Sequence, residues 1–484
     1  MQHKTLPLYI DGQFISSENT FHNINPVNGE IIGLISEADQ PQVAAAVTAA
    51  RAAVEGPWGD LSPNERCEYL RKIADGIEAR FDAFVAAEVA DTGRPIELAR
   101  TLDVPRAIAN FRTFADIAAA FVGESCETKL SDGHLLNYSV RKPLGVIAVI
   151  SPWNLPILLF SWKVAPALAA GNAVVCKPSE ETPSSATLLA EVMDAVGLPK
   201  GVFNLVHGRG ATTGAFLTEH PDIDAVSFTG GSKTGSTIMK TVADGIKEVF
   251  FELGGKNAAV VFADADFDAA VDGVLKSSFY NSGQVCMCSE RVYVHESIFE
   301  RFVEALKHKT EALSLNLPDA DGVNLGPLVS FAHREKVLGY FKLAEQEGAT
   351  VVTGGKIPVF GDVRDKGAFI QPTIWTGLSD DARIVNEEIF GPCCHIAPFS
   401  HDDEVLKRVN NSDYGLDCSI WTSNITRAHR FARKVHVGIV WINTWYSRDL
   451  RTPFGGAKRS GLGREGGVFS LNAYSEITNV CVKF

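Results

Sequence analysis

Apolar positions along the chain follow two periods, and the change from one to the other divides it. Short clusters at 8–14 and 31–36 read as strands, with N-P-V-N-G between them as a turn. From 39–55, 62–92 and 96–122 apolar residues recur every three or four positions, which predicts three long amphipathic helices, with Ser62-Pro63 as a start and Gly93 as a stop. In 124–142, C-E-T-K-L and L-L-N-Y-S-V flank S-D-G-H, predicting a hairpin that needs a partner, because two strands alone are marginal in water.

From Leu144 unbroken apolar strands and helices alternate: L-G-V-I-A-V-I, a helix near 159–170, N-A-V-V-C-K, 183–196, V-F-N-L-V, 211–219, D-A-V-S-F, 232–242 and V-F-F-E-L. This pattern predicts a doubly wound parallel sheet that binds its ligand at the carboxyl ends of its strands, where 151–154, 177–180 and 229–235 fall. A second α/β unit follows, with strands at 258–262, 291–295, 418–422 and 438–442 and helices near 266–279, 297–313, 331–347 and 424–434. The last segment, S-E-I-T-N-V-C-V-K, alternates as an exposed strand whose edge a neighbouring subunit would hide.

Composition narrows the partners. A net charge of −13 argues against nucleic acid and anionic membrane, yet a local arginine pair can still hold a small acidic metabolite. Nine cysteines without regular spacing, and no long apolar run in M-Q-H-K-T-L-P-L-Y-I, predict a reduced cytoplasmic protein. Cys393-Cys394-His395 is not a metal site, since neighbours on a strand point to opposite faces.

Two residues offer covalent chemistry. Glu252 in F-E-L-G-G-K and Cys286 in N-S-G-Q-V-C-M-C form a base and a thiol that can make and hydrolyse a thioester. The literal G-x-G-x-x-G at Gly461, Gly463 and Gly466 follows no strand and reads as a loop. Gly230-Gly231-Ser232-Lys233-Thr234-Gly235 is better placed, after a strand and opening a helix whose N–H groups can face a pyrophosphate.

F-E-L-G-G-K and G-Q-V-C, with S-P-W-N, K-P-S-E, F-T-G, E-E-I-F-G-P and P-F-G-G in order, resemble the aldehyde dehydrogenase superfamily over nearly the whole chain. R-D-L-R-T-P-F-G-G at 448–456 and P-R-A-I-A-N-F at 105–111 resemble its 2-hydroxymuconate and 2-aminomuconate 6-semialdehyde branch. The resemblance implies a dinucleotide-binding domain (1–123 and 143–255), a catalytic domain (256–454) and an oligomerisation arm with the C-terminal segment (124–142 and 455–484), in a homodimer or homotetramer. It implies Cys286 as nucleophile, Glu252 as hydrolytic base, Asn154 as oxyanion donor and Lys163 as a lysine that assists the thiol. NAD would be held by Ile150, Ser151, Pro152, Trp153, Lys177, Ser179, Glu180, Gly210, Phe228, Gly230, Gly231, Ser232, Gly235, Leu253 and Gly254, with Glu388 and Phe390 at the nicotinamide ribose. The family commonly has Ser where Gly231 stands, so contacts there are backbone ones. Arg106 and Arg448, near Arg451 and Asp449, are the candidates for a substrate carboxylate. A CoA-acylating enzyme, a broad-specificity enzyme and a non-catalytic scaffold are the alternatives. Glu252 argues against the first, because transfer to CoA needs no hydrolytic base.

Overall fold

The computed structural model of the protein describes residues 4–484. The first alternating region forms five parallel strands in the order Phe203–Leu205, Ala173–Lys177, Val146–Ile150, Ala225–Thr229 and Glu248–Glu252. The chain winds outward from Val146–Ile150 in one direction and returns to continue in the other. The switch therefore lies between that strand and Ala225–Thr229, where a crevice opens in such sheets. Leu8–Ile10 and Gln13–Ile15 extend the sheet at one edge, and Gly461–Leu462 pairs antiparallel with Glu248–Glu252 at the other.

The second region forms a seven-stranded sheet, parallel throughout except for the edge strand Thr350–Thr353. Cys393 and Cys394, adjacent on the strand Cys393–Phe399, pack into separate apolar clusters on its two faces. Among the described residues no group of three potential ligands could hold a metal ion, and no helix is long and apolar enough to cross a membrane.

Ser62 and Glu65 cap the helix Pro63–Ala79 reciprocally, and Gly93, at φ 65°, ends the helix Phe81–Thr92. The single helix expected over 62–92 is thus two, broken at Arg80 (φ −113°, ψ 24°). The helix expected over 96–122 is interrupted by a π turn, Ala99–Asp103, before Val104–Ala119. Phe114 on that last helix lies 5.3 Å from Trp162 on Pro156–Ala169, and both are buried. Burying one such ring contributes about 1.5–3 kcal/mol, so this helix layer is fastened to the sheet rather than laid over it.

The hairpin Ser125–Leu130 and Gly133–Pro143 finds its partner within the chain. Ser475–Lys483 pairs along it from Pro143 to Leu135 and forms the edge of the three-stranded sheet. The residues just before it do not belong to the arm. Leu471 and Tyr474 sit in the core of the first sheet.

Candidate active site

Two clefts meet at the switch between strands. The larger, about 740 Å³, gathers Ile150, Ser151, Pro152, Trp153, Lys177, Ser179, Glu180, Gly210, Phe228 and Gly230. The smaller, about 260 Å³, gathers Asn154, Gly231, Glu252, Leu253, Gly254, Cys286, Glu388 and Phe390. Pro152, Trp153, Thr229 and Gly230 line both, so one extended ligand can run between them.

Ser232 and Gly235 line neither cleft. Ser232 Oγ donates to the Arg459 carbonyl at 3.1 Å, and a Cβ on Gly235 would come within 2.8 Å of Leu253. They open the helix Ser232–Val242 and let it approach the sheet, leaving Gly230 and Gly231 at the cleft wall. Ser179 does not cap the following helix, which starts five residues later at Ser184–Ala195; its Oγ accepts from the Glu181 N–H at 3.3 Å in a tight turn.

Lys177 is buried, and its Nζ donates to the carbonyls of Pro178 and Gly208 at 2.9 and 2.8 Å and to Glu180 at 3.3 Å. Burial opposes ionisation of Glu180, but Lys177 and the Gly210 N–H outweigh it and hold the carboxyl below its ordinary range. The far end of the larger cleft therefore carries a fixed anion.

The loop that carries Cys286 is built from unusual backbone. Asn281, Ser282 and Gly283 are left-handed in succession (φ 52°, 55° and 72°), and a Cβ on Gly283 would meet the Gly391 carbonyl at 1.9 Å. This conformation carries Cys286 out of the helix Phe267–Phe279 and presses its loop against the segment holding Glu388 and Phe390. Asn257 Nδ2 donates to the carbonyls of both Cys286 and Cys288, at 2.7 and 3.1 Å, and clamps the loop from below. Burial raises the Cys286 thiol well above its usual value, with Glu252, Glu388 and Asp417 adding to it; Arg448 pulls the other way. Cys288 is buried and likewise raised, and its Sγ faces the Tyr280 carbonyl at 3.8 Å.

Asn154 donates from Nδ2 to the Gln284 carbonyl at 3.0 Å, two residues before Cys286, which leaves its second amide N–H for another acceptor. Glu252 ends the strand Glu248–Glu252 with Oε2 buried and unpartnered. Burial, then Glu465, drives its carboxyl strongly up; Lys163, Arg448 and Arg464 oppose this. A Cβ on Gly455 would come within 2.8 Å of Glu252 Oε1, so this glycine makes room for the carboxylate. Lys163 donates to Glu465 Oε1 at 2.8 Å and Ser227 Oγ at 3.1 Å, deep in the core. Lys163 thus has its direct partners in Glu465 and Ser227, and Arg448 is a cation whose charge reaches the Cys286 thiol.

Glu388 Oε1 accepts from the Gly255 N–H at 2.8 Å, and its carboxyl is pushed up to about 7 by burial and by Glu290. Arg448 lies between Trp162 and Phe454, its guanidinium carbon 4.3 and 3.8 Å from their ring centroids, with Nη2 buried and unpartnered. Burial lowers its pKa to about 10, and the neighbouring charge of Arg106 adds to that. Arg451 instead pairs with Asp449 at 2.7 Å on the surface.

The chain matches the aldehyde dehydrogenase family model over residues 14–480. It belongs to the aldehyde dehydrogenase family. It is 57% identical over 477 residues to a 2-aminomuconic 6-semialdehyde dehydrogenase of Pseudomonas sp, covering 98% of this chain and 97% of that protein. To a 2-hydroxymuconic semialdehyde dehydrogenase of Pseudomonas sp. (strain CF600) it is 54% identical over 484 residues, covering 99% and 100%. Its fold superposes on an NAD+ complex of aldehyde dehydrogenase from Bacillus cereus with a TM-score of 0.96 at 38% identity, covering 99% of this chain and 97% of that one.

Several residues of this aldehyde dehydrogenase site carry no sequence signal of their own. Glu290 accepts the N–H groups of Ile389 and Phe390 at 3.1 and 2.8 Å and is paired with buried Lys256, so it shapes the Phe390 turn (φ 63°). His333 and Lys336, one turn apart on the helix Phe331–Gln346, both reach the smaller cleft. His333 packs 4.9 Å from Trp153, and its Nε2 lies 2.7 Å from the Phe390 carbonyl. A period of three marks them as one helix face, but not as the face that meets the cleft.

Proposed function

We propose that this aldehyde dehydrogenase uses NAD to oxidise 2-hydroxymuconate or 2-aminomuconate 6-semialdehyde to the dicarboxylate. The observation that carries the substrate class is Arg448. A buried guanidinium nitrogen with no partner is costly, and a carboxylate supplies what it lacks. Arg106 adds a second positive charge beside it. The names of the relatives at 57% and 54% identity support the same class.

The larger cleft fits a dinucleotide, with the first N–H groups of the helix Ser232–Val242, at Lys233 and Thr234 on the cleft wall, for phosphates. The Glu180 carboxylate lies where a 2′-phosphate would be repelled, which favours NAD over NADP. Glu388 and Phe390 would hold the nicotinamide end beside Cys286, where NAD supplies the hydride acceptor.

In this reading Cys286 attacks the aldehyde carbon, and the carbonyl oxygen takes up negative charge between the Asn154 amide and the Cys286 N–H. Arg448 favours the thiolate that burial opposes. After oxidation the thioester remains on Cys286. Glu252, its Oε2 free in a buried site, takes a proton from water, which attacks the thioester and releases the acid and the thiol. Free cysteines throughout agree with a reducing, cytoplasmic setting, and the exposed three-stranded arm is suited to assembly of a homodimer or homotetramer.

NADH formation should be compared for a muconic semialdehyde and an uncharged aldehyde of similar length, each with and without CoA. We expect a kcat/KM preference for the carboxylated substrate and no need for CoA. Equal rates on both substrates would leave a broad-specificity enzyme, and dependence on CoA would leave an acylating one.

A further inference from the structure

The turn that presents Asn154 is gripped from behind by buried charge. The Asn154 carbonyl accepts from Asn281 Nδ2 at 3.0 Å and also from Arg94 Nη2. Arg94 is 3% exposed, and its Nη1 pairs with Asp103, which has no exposure at all. Glu88, equally buried, accepts the Ile157 N–H at 3.1 Å, so the two buried side chains hold both ends of the turn 154–157.

Asp103 is the last residue of the π turn Ala99–Asp103, the one place where the early helix layer departs from α geometry by a widened turn. Such turns gather at functional sites. Three atoms of the cluster, Glu88 Oε2, Asp103 Oδ1 and Arg94 Nε, are buried without partners. A buried triad of this kind is commonly no more stabilising than an apolar one of equal volume. Stability alone therefore does not account for it, whereas a fixed direction for the Asn154 backbone does.

We propose that Arg94, held by Asp103, is a positioning residue for acyl-enzyme formation and acts through Asn154. The inference rests on Asn154 as the oxyanion donor. Its amide already spends one N–H on the Gln284 carbonyl, so the second can reach the substrate oxygen only while the backbone behind it is fixed. Without the Arg94 contact the Asn154 carbonyl keeps Asn281 alone, and the amide loses its aim.

The test is the NADH burst rate at saturating NAD in Arg94→Met, Arg94→Lys, Asn154→Ala and the double variant Arg94→Met/Asn154→Ala, with NAD affinity measured alongside. Asn154→Ala should slow the burst roughly a hundredfold or more. Arg94→Met should slow it roughly tenfold to a hundredfold with unchanged NAD affinity, and Arg94→Lys should recover part of the loss. The double variant should be no slower than Asn154→Ala, since a residue acting through Asn154 has nothing left to act on. A wild-type burst in Arg94→Met, or a double variant slowed by the product of the two factors, would overturn the inference and leave Asn154 in its role. A fast burst in Asn154→Ala would remove the role of Asn154 itself, and the inference with it. Should Arg94→Met not fold, Asp103→Asn runs the same cycle with the same decision.

Discussion

The guanidinium of Arg448 stacks 3.8 Å from the centre of the Phe454 ring while its Nη2 has no partner. The ring fixes the direction of the fork and leaves that nitrogen without an acceptor. If a substrate carboxylate binds there, Arg448→Ala removes a contact of about 1.5–3 kcal/mol, equivalent to roughly tenfold to over a hundredfold in kcat/KM. That loss should fall on carboxylated semialdehydes and spare uncharged aldehydes, with Arg106→Ala following the same pattern. An equal factor on both substrates would make Arg448 a support of the Phe454 loop.

Cys286→Ala should abolish turnover and keep NAD binding, because the loop is held by the Asn257 side-chain amide on two backbone carbonyls and not by the thiol. Cys288→Ala should keep most activity, its sulfur being buried against the Tyr280 carbonyl. Titration of bound NAD with a parallel NADH assay checks both; equal loss in the two variants would contradict the assignment.

Glu252→Gln should give an NADH burst of about one equivalent per active site and then stall with the thioester intact, since only hydrolysis lacks its base. Mass spectrometry of the quenched enzyme should find the acyl adduct on Cys286. Steady turnover near wild type would require another base.

Burial and Glu290 raise the Glu388 carboxyl to about 7. The carboxylate, the stronger acceptor for ribose hydroxyls, is therefore populated above that value and lost below it. NAD should bind more weakly as pH falls from about 8 to about 6, and Glu388→Gln should flatten this dependence. Calorimetric titration at several pH values measures it; a flat wild-type profile would take Glu388 out of cofactor binding.

Glu465→Ala leaves Lys163 buried with only Ser227 as a partner. Breaking such a pair costs about 3–5 kcal/mol, so a fall in Tm of several degrees is expected, smaller for Glu465→Gln, which keeps an acceptor. An unchanged Tm for Glu465→Ala would mean that water reaches Lys163.

The parallel strands, and with them the crevice, were legible because strands buried on both faces read as unbroken apolar runs. Cys286, Glu252 and Asn154 were legible through the segments around them, and they meet in one cleft. The break at Arg80 and the π turn at Ala99–Asp103 were not, since apolar spacing continues through both. Nor was the partner of Lys163. A lysine reads as a solvated helix residue until the fold brings Glu465 to it from 302 positions away.

That separation also sets an order of events on the ribosome. At about 5–20 residues per second, roughly 15–60 s pass between synthesis of Lys163 and of Glu465. The same closing segment brings Tyr474, whose carbonyl accepts from Asn172 at 2.9 Å and whose hydroxyl lies 2.8 Å from Ser227. A nascent chain thus carries Cys286 before the first sheet has received its last core residues. A chain that stops short of Glu465 keeps Cys286 but leaves Lys163 without its counter-charge. The core of the first sheet is thus built from both ends of the sequence distance, and it waits for Glu465 and Tyr474 to close around Lys163.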